Sequence, residues 1–331
     1  MAERERSRQV ALGPGAEFDL IRRFLAEQPP LGPDVLVGPG DDAAVLKGGW
    51  VLSTDLSVED VHFRRSWITD EEIGWRATAA ALSDLAAMAA EPVGVLVSMA
   101  FCPGSGLDVE AVQRGVRDAA AHSGASVLGG DVSRSPGPLF LDVSVVGRAT
   151  TPASRAGARP GDEVWVTGPL GAAGAAVRLW NAGREPPAAL RAAFAHPVPR
   201  VEAARALAGA GIVRALVDLS DGLAGDAGHL AAAGGVRVVL EAARIPLGEG
   251  VAEALGPDAA LDAALRGGED YELCFAAPPG SVDERTLGAR AGVSLSRVGR
   301  VEPGSGVWLE GNDGSVLRLE RGGYDHFGGG S

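Results

Sequence analysis

The sequence predicts a two-domain protein of the α/β (α+β) class, on the strength of three observations. The chain has 331 residues, which is long for a single hydrophobic core. Short β-branched and apolar runs alternate with helical patterns along most of its length. A segment rich in proline, glycine and small residues, 150–161 (TTPASRAGARPG), interrupts this alternation. We therefore expect a disordered arm over 1–15, a first domain over 16–149, a second domain over 150–327 and a tail over 328–331.

In the first domain, the apolar spacing predicts a helix over 17–28 that ends before two prolines. Two short strands, 42–46 and 51–53, flank a Gly-Gly pair and form a predicted hairpin. A long helix is expected to begin at Thr69 or Asp70, which can cap its first turn, and to run towards Glu91. The remaining predicted elements are a strand over 93–101, a helix over 107–122 and strands over 126–128 and 139–146.

In the second domain, a strand over 163–167 meets a glycine-rich turn and then a helix. That turn matches the dinucleotide-binding glycine pattern only loosely, so we interpret it as an ordinary strand-to-helix connection. Further elements are predicted as a helix over 223–233, a strand over 236–240, helical segments at 252–255 and 261–265, and a strand over 272–275. Short strands with glycine turns are expected up to residue 319.

Composition excludes several classes of protein. A formal net charge of −13 argues against nucleic-acid binding, which needs a basic surface. No apolar run reaches the roughly 18 residues that a membrane span requires, and the charged N-terminus does not resemble a secretory signal. The two cysteines are far apart and indicate no disulfide framework. We therefore expect a cytoplasmic protein that binds neither nucleic acid nor membrane.

The predicted hairpin carries an unusual density of acidic residues. Its register places Asp41 and Asp42, at the start of the first strand, near Asp55, at the end of the second. Carboxylates at such short separation repel one another unless a cation neutralises them. Oxygen ligands without cysteine or histidine suit a hard ion such as Mg²⁺. The alternative, two polar turns of a solvated hairpin, stays open for this segment taken alone.

Further aspartates favour the metal interpretation. Asp84 is a charged residue in a helix that is apolar on nearly every side, and a buried aspartate needs a partner. A hydrogen bond to neighbouring backbone would also satisfy it. Asp131, Asp218 and Asp221 lie at glycine-flanked turns beside predicted strands, where α/β proteins build their sites. Together these residues predict an acidic pocket that holds several Mg²⁺ ions.

Mg²⁺ is usually bound together with substrate phosphates, so the pocket predicts a phosphoryl donor such as ATP. The chain has no P-loop motif, and Lys47 is its only lysine. Charge on the transferred group must then be offset by the metal ions, by backbone N–H groups at Gly129 and Gly130, and by arginine. Arg155, in the glycine-rich boundary, is the best-placed arginine, although a solvated linker residue is an alternative interpretation.

The motifs as a set resemble one family. GDDAAV, STDLSVEDVHF, LSDLAAMAAEP, GGD, RAGARPGD, DLSDGL, GGEDYEL and the terminal GYDHF occur in this order, between about Glu17 and Phe327. They resemble those of the thiamine-monophosphate kinases, in the superfamily of aminoimidazole ribonucleotide synthetase. The resemblance implies an N-terminal mixed sheet with helices and a C-terminal α/β sandwich. It also implies ATP-dependent phosphorylation of thiamine monophosphate to thiamine diphosphate, in a homodimer whose first domains pair their sheets.

The resemblance also implies roles for individual residues. The implied ligands of a multi-Mg²⁺ cluster are Asp42, Ser53, Thr54, Asp55, Asp84, Asp131, Asp218 and Asp221, of which Asp55, Asp84 and Asp221 are the expected catalytic residues. The implied nucleotide contacts are Gly130, Asp131, Arg155 and Ser220. The implied substrate contacts are His62, Glu269, Arg321 and Tyr324. Relatives often carry an aromatic residue where this chain has Arg321. Either Tyr324 or one of the six tryptophans is then expected to stack on the substrate instead, or Arg321 faces the substrate phosphate.

Other functions remain as alternatives. Selenophosphate synthetase needs a reactive N-terminal cysteine and the hydrogenase-maturation enzyme a C-terminal one, and neither is present in the sequence. Aminoimidazole ribonucleotide synthetase is the enzymatic alternative. A non-catalytic regulator that binds Mg–nucleotide is the alternative from another class, although the full set of acidic residues argues against a degenerate site.

Overall fold

The computed structural model describes residues 9–319 and, over that part of the chain, contains two mixed β-sheets. The first sheet has six strands in the order β1-β2-β3-β6-β4-β5, and only the β4–β5 pair is parallel. Its strands are β1 (Val35–Val37), β2 (Ala44–Leu46), β3 (Trp50–Val58), β4 (Glu91–Phe101), β5 (Ser126–Arg134) and β6 (Phe140–Arg148). The helices before and between them are α1 (Ala16–Ala26), α2 (Asp70–Ala87) and α3 (Val109–His122).

Helix α2 is the centre of the first domain because it is apolar on nearly every side. Thr69 caps it in a reciprocal capping box with Glu72, as the sequence predicts. It packs between the sheet and α3, and its leucines are fully buried in the core. Two glycines let α2 and α3 approach closely: a Cβ at Gly115 would lie 1.9 Å from the carbonyl oxygen of Glu71. The opposite face of the sheet, by contrast, exposes apolar side chains.

The second sheet has seven strands in the order β13-β12-β9-β11-β7-β10-β8, and only the β9–β12 pair is parallel. Its strands are β7 (Glu163–Thr167), β8 (Ala215–Asp218), β9 (Arg237–Glu241), β10 (Leu273–Ala277), β11 (Leu295–Glu302), β12 (Gly306–Glu310) and β13 (Val316–Arg318). Helices α7 (Leu223–Gly234) and α9 (Pro257–Arg266) cover one of its faces, and α6 (Val201–Gly209) and α10 (Glu284–Ala291) cover the other. The buried residues of α4 (Ala172–Asn181), α5 (Ala188–Ala195) and α8 (Val251–Leu255) belong to the hydrophobic cluster that also contains the core of the first domain. A 3₁₀ turn, Ala242–Arg244, follows β9.

Two strands are longer than predicted, so two acidic residues that were expected at strand ends lie within strands. β3 continues past Ser53 to Val58 because all nine of its residues pair with β6, so Asp55 lies inside the strand and not at its end. β5 likewise continues through Gly129 and Gly130, because β4 pairs with it over its length, and Asp131 lies within it. A Cβ at Gly130 would lie 1.8 Å from the carbonyl oxygen of Val97, so glycine there permits this close strand pairing.

Residues 9–15 have no regular secondary structure but contact the body of the protein. The backbone N–H of Val10 donates to the carbonyl oxygen of Pro39 at 3.4 Å. Gly13 is buried against the His229 ring, and Arg22 of α1 donates to the carbonyl oxygen of Gly13. This part of the predicted disordered arm is therefore ordered by contacts that sequence composition does not reveal; residues 1–8 lie outside the described residues.

The two domains meet at α2. One end of this helix contacts β8 and α6 of the second domain. Arg76 donates to the carbonyl oxygen of Phe194 at 2.8 Å, and Ser83 donates to Asp218 at 2.7 Å. A cleft opens beside these contacts. No helix within residues 9–319 has both the length and the apolar composition needed to cross a membrane.

Candidate active site in the interdomain cleft

The cleft has a volume of about 690 Å³ and changes character from one end to the other. Its acidic end is lined by Asp55, Asp84, Asp218, Asp221 and Asp226. Its aromatic end is formed by side chains that include Trp67 and Phe194. Arg76 and Glu269 lie between the two ends. A pocket of this form suits a ligand with a ring and an anionic part that is bound through a metal cation.

Three carboxylates from three separate segments converge at the acidic end. Oxygen atoms of Asp42, Asp84 and Asp218 all lie within 4.8 Å of one another. Serine hydroxyls orient two of them: Ser53 donates to Asp84 at 2.6 Å, and Ser83 donates to Asp218 at 2.7 Å. The segments are the turn before β2, the last turn of α2 and the end of β8, which the fold brings together from both domains.

This convergence raises the pKa values of the carboxyl groups. Burial, and then the charge of Asp42, raises the pKa of Asp218 from 3.8 to about 7. Burial, and then the charges of Asp218 and Asp42, raises the pKa of Asp84 well above its ordinary value. Burial and the nearby Glu269 raise the pKa of Asp55 to about 6. Oxygen-only donors that repel one another in this way fit a hard divalent cation such as Mg²⁺.

Arg155 reaches into the acidic end from the interdomain segment. Its guanidinium donates to both oxygens of Asp42, at 3.0 Å from Nε and 2.8 Å from Nη2. Its backbone N–H and the hydroxyl of Ser154 donate to the neighbouring Asp41. Arg155 is therefore a bidentate ion-pair partner, and the solvated-linker alternative for it is wrong. Asp41 thereby anchors the segment that carries Arg155.

A second acidic group lies beside the first. Asp221, Asp226 and His229 also have ligand atoms within 4.8 Å of one another. Asp226 is buried on α7 and accepts the backbone N–H groups of Asp221 and Gly222, each at 3.1 Å. These bonds fix the turn that presents Asp221 and Ser220 to the cleft. Burial lowers the pKa of His229 to about 3, so its ring is neutral.

Glu269 occupies the middle of the cleft on a strained loop. It and Tyr271 both have positive φ angles, 68° and 49°, which non-glycine residues rarely adopt. The strain is maintained by hydrogen bonds: the backbone N–H of Glu269 donates to the carbonyl oxygen of Ser220 at 2.8 Å, and the Tyr271 hydroxyl donates to the Glu269 carboxylate at 2.7 Å. Arg76 forms an ion pair with the same carboxylate. The loop thus holds a charged pair at a fixed point between the two ends.

The predicted substrate residue His62 also lines the cleft. Its Nδ1 accepts the backbone N–H of Val58 at 3.0 Å, which fixes the ring at the end of β3. Arg321 and Tyr324, the other predicted substrate residues apart from Glu269, lie outside the described residues.

Thr54, Gly130 and Asp131 are not brought to the carboxylate triad. Successive side chains of a strand point to opposite faces, and Ser53 of β3 points towards Asp84, so the Thr54 hydroxyl points to the exposed face. There it donates to Asp142 at 2.6 Å. Asp131 and Gly130 lie on β5, at the edge of the same sheet, with Asp131 aligned with Ser98 of β4. Strand alternation directs the Thr54 hydroxyl away from the triad, but Thr54 lines the cleft, and its role as a metal ligand stays a prediction.

Comparison with known proteins identifies the family. Models of the AIR synthase related protein match the chain, the N-terminal domain over residues 40–149 and the C-terminal domain over 159–310. A thiamine-monophosphate kinase of Methanopyrus kandleri is 36% identical over 300 residues, which cover 89% of this chain and 92% of the relative. That of Escherichia coli K12 is 34% identical over 332 residues, covering 94% and 98%. The chain belongs to the thiamine-monophosphate kinase family.

A solved structure of the same family agrees with this assignment. AaThiL complexed with AMPPCP and TMP is 30% identical, with a TM-score of 0.79, over 95% of this chain and 97% of that one. The family resemblance and the two-domain mixed α/β fold predicted from the motifs are both confirmed. As a thiamine-monophosphate kinase family member, the chain places its acidic motifs on both sides of one cleft.

Sequence reasoning missed several residues of the cleft. Arg76 and Asp226 are charged residues in buried helices, the same signal that identifies Asp84, and that signal could have found both. Trp67, Phe194 and Tyr271 carry no comparable signal, because an aromatic residue near an apolar segment is ordinarily part of a core. Only the packing of α2, α4 and α5 brings these rings to the cleft.

Proposed function

We propose that the chain catalyses the ATP-dependent phosphorylation of thiamine monophosphate to thiamine diphosphate, with Mg²⁺ as the metal. The observation that carries this proposal is the convergence of Asp42, Asp84 and Asp218 at one end of a cleft in a thiamine-monophosphate kinase family member. The AaThiL complex with AMPPCP and TMP supports the choice of both substrates.

The proposed metal ligands are the carboxylates of the acidic end. Asp42, Asp84 and Asp218 form their centre, and Asp55 and Asp221 extend it along the cleft. Bound Mg²⁺ would neutralise charge on the phosphate oxygens and orient them. Ser53 orients Asp84 by donating a hydrogen bond to it. The Thr54 hydroxyl donates to Asp142, so Thr54 would bind the metal through its main-chain carbonyl oxygen.

The protein's own groups would position two anions for in-line transfer. An acceptor phosphate oxygen attacks the γ-phosphorus of ATP, the bond to the β–γ bridging oxygen breaks, and its electron pair leaves with ADP. Arg155 and Arg76 are cations on the two sides of the point where the phosphoryl group is transferred. The main contribution required of the protein is to offset the repulsion between the two phosphate anions. A phosphate monoester is already ionised near neutral pH, so the acceptor needs no general base.

Nucleotide contacts are proposed at Arg155 and Ser220, which line the cleft, and at Gly130 and Asp131 on the edge strand. Substrate contacts are proposed at His62 and Glu269. The assignments of Arg321 and Tyr324 remain predictions from sequence.

An assay of ADP release tests the proposal. Thiamine monophosphate should stimulate ADP release with Mg²⁺ present, and unphosphorylated thiamine should not, because it lacks the acceptor phosphate. EDTA should abolish the stimulation. Formylglycinamidine ribonucleotide serves as the acceptor for the alternative, aminoimidazole ribonucleotide synthetase, and ADP release with that compound alone would replace the proposal. Nucleotide binding without ADP release for any acceptor would favour the non-catalytic regulator.

We further propose a homodimer that forms through the exposed face of the first sheet. β5 is an edge strand on which Val127, Leu128 and Val132 are all exposed, and Leu56 and Leu96 extend the apolar surface across the sheet. Monomeric proteins rarely expose apolar patches of this kind. A cytoplasmic location is proposed because Cys102 and Cys274 are both free thiols.

A further inference from the structure

The aromatic end of the cleft is a preformed stack of rings. Trp67 and Trp180 lie parallel, with ring centroids 5.0 Å apart and an interplanar angle of 6°. Phe194 meets both rings edge-on, at 6.1 Å from Trp67 and 5.4 Å from Trp180. Trp180 and Phe194 are buried, whereas Trp67 is only half-buried and lines the cleft. The stack therefore holds Trp67 rigidly and leaves part of its surface accessible.

A cation lies over the Trp67 ring. The Cζ atom of Arg64 is 4.6 Å from the ring centroid. Arg64 is exposed, and its side-chain hydrogen bond to Asn181 is long at 3.3 Å. The position is thus one that attracts a cation but is held by a weakly anchored side chain.

The order of groups along the cleft matches that of a phosphorylated ring compound. Arg76 packs on the Phe194 ring, with its Cζ 3.8 Å from the centroid, and forms an ion pair with Glu269 on its other side. Arg76 and Glu269 are also among the charges that act on Asp55 at the acidic end. Along the cleft, the aromatic rings are therefore followed by the Arg76 cation and then by carboxylates that suit metal-bound phosphate.

The other tryptophans do not line this cleft. Trp50 and Trp308 stack with Arg148 and Arg237 on other surfaces, and Trp165 is buried in the second sheet. Trp75 donates its indole N–H to the carbonyl oxygen of Pro197 at 2.9 Å. Trp67 is thus the one of the six that lines the cleft.

We propose that Trp67 is the ring-binding residue for the acceptor substrate and that the cationic thiazolium ring replaces the Arg64 guanidinium over the indole ring. The inference rests on the proposed function and deepens it. A positively charged aromatic ring combines stacking with a cation–π attraction on tryptophan. The subsite selects phosphate monoesters that carry a cationic ring, and Trp67 supplies its stacking contact.

Steady-state kinetics of three variants test the proposal. Trp67→Leu should raise KM for thiamine monophosphate by about tenfold, and Trp67→Phe by about threefold, because the smaller ring retains part of the stacking. KM for ATP should stay within about twofold of its original value, since the acidic end is unchanged. Trp308→Leu is the matched control: it removes an indole that also stacks with an arginine, but outside the cleft, and should leave both KM values unchanged.

A fourth variant tests the replacement of Arg64. Arg64→Leu should leave KM for thiamine monophosphate unchanged or lower it, because a competing cation is removed. A tenfold increase with Arg64→Leu would overturn the proposal by assigning recognition to the guanidinium. An unchanged KM in both Trp67 variants, with circular dichroism spectra like those of the original protein, would overturn it as well.

The outcome is distinguishable from failure of the proposed function. If the unaltered protein does not phosphorylate thiamine monophosphate, the proposed function fails, and the subsite proposal, which depends on it, fails too. If the unaltered protein phosphorylates this substrate but the Trp67 variants, like the Trp308→Leu control, have unchanged KM values, the subsite proposal fails and the proposed function stands.

Discussion

At the level of single residues, the cleft concentrates charges where a stable core would avoid them. Arg76 and Asp84 lie two turns apart on a helix whose other residues are largely apolar and buried. Within residues 9–319, six carboxyl groups have raised pKa values, those of Asp41, Asp55, Asp84, Asp218, Asp226 and Asp270. Such clusters are unfavourable for folding alone and are typical of sites that bind a counter-charge.

We predict that the metal-free protein loses stability as the pH rises. Folded Asp218, with a pKa of about 7 in place of 3.8, retains a proton that the unfolded chain has released. The folded state therefore binds more protons, and the free energy of unfolding falls with increasing pH through this range. His229, with a pKa lowered to about 3 from 6.5, acts in the opposite direction, but only below about pH 6.5.

Thermal unfolding in EDTA from about pH 7 to about pH 8 mainly reports the carboxylate effect, because His229 is neutral in the folded state and largely neutral in the unfolded state there. The melting temperature should fall across this range. Saturating Mg²⁺ should raise it and flatten the slope, since the ions bind the ionised carboxylates of the folded state. A melting temperature in EDTA that rises with pH would contradict the prediction.

A second residue-level prediction separates activity from stability at Asp84. Asp84→Asn should lower kcat by at least about 100-fold, because a charged metal ligand is lost. In EDTA the same variant should melt at a higher temperature than the original protein, since it removes one charge from a repelling group. Asp313→Asn, at an exposed turn, is the control and should alter neither the turnover nor the effect of EDTA. Near-normal turnover by Asp84→Asn at saturating Mg²⁺ would show that Asp84 is not a ligand.

How far single residues can be predicted depends on whether burial is visible in the sequence. A single charged residue in an otherwise apolar helix is visible in the sequence, and this pattern identifies Asp84. The same reasoning should have found Arg76 and Asp226. The direction of the Thr54 hydroxyl could not be predicted, because it depends on a strand register that is fixed by pairing with β6.

At the level of elements, the contact between α2 and α3 depends on glycine. A Cβ at Gly74 would lie 2.0 Å from the carbonyl oxygen of Val112, and one at Gly115 would lie 1.9 Å from that of Glu71. On each helix, the missing side chain of the glycine makes room for the backbone of the other helix. The close approach holds α2 against the sheet and so fixes the position of Asp84.

We predict that Gly115→Ala destabilises the protein by about 2 kcal/mol, although alanine is the better helix former, because the helices must separate. Gly228→Ala in α7 is the matched control: its Cβ would meet only a Val307 methyl group at 3.8 Å. That change should stabilise the protein by up to about 1 kcal/mol. Urea denaturation measures both. Stabilisation by Gly115→Ala would mean that the helices are not in close contact.

The sequence predicted most elements but not their full lengths. The long helix and its cap at Thr69 were predicted because a capping residue and apolar periodicity coincide there. β3 and β5 were predicted too short, since polar and glycine residues such as Thr54 and Gly130 are typical of turns. Pairing with a neighbouring strand overrides that local tendency, and no local pattern reports it.

At the level of the whole molecule, the site depends on contacts between the two domains. Asp42 and Asp84 come from the first domain, and Asp218 and Arg155 from the second domain and the segment before it. Local patterns predict each motif but not its neighbours in space, because the distances between them are set by long-range packing. The family resemblance supplied that arrangement, and the fold confirms that the motifs meet at one cleft.

The exposed face of the first sheet leads to a last prediction, on assembly. β5 pairs only with β4, so its outer edge carries unpaired backbone groups beside exposed apolar side chains, a combination that favours association. Val132, 62% exposed, should lie within the proposed dimer interface, and Val132→Asp should convert the dimer to a monomer by introducing a charge there. Leu317→Asp, at a residue 66% exposed on β13 of the other sheet, is the control and should leave the dimer intact. Sedimentation equilibrium distinguishes the two states. A protein that is monomeric without any substitution would contradict the proposed dimer. A Val132→Asp variant that remains dimeric would place the interface away from the apolar face of β5.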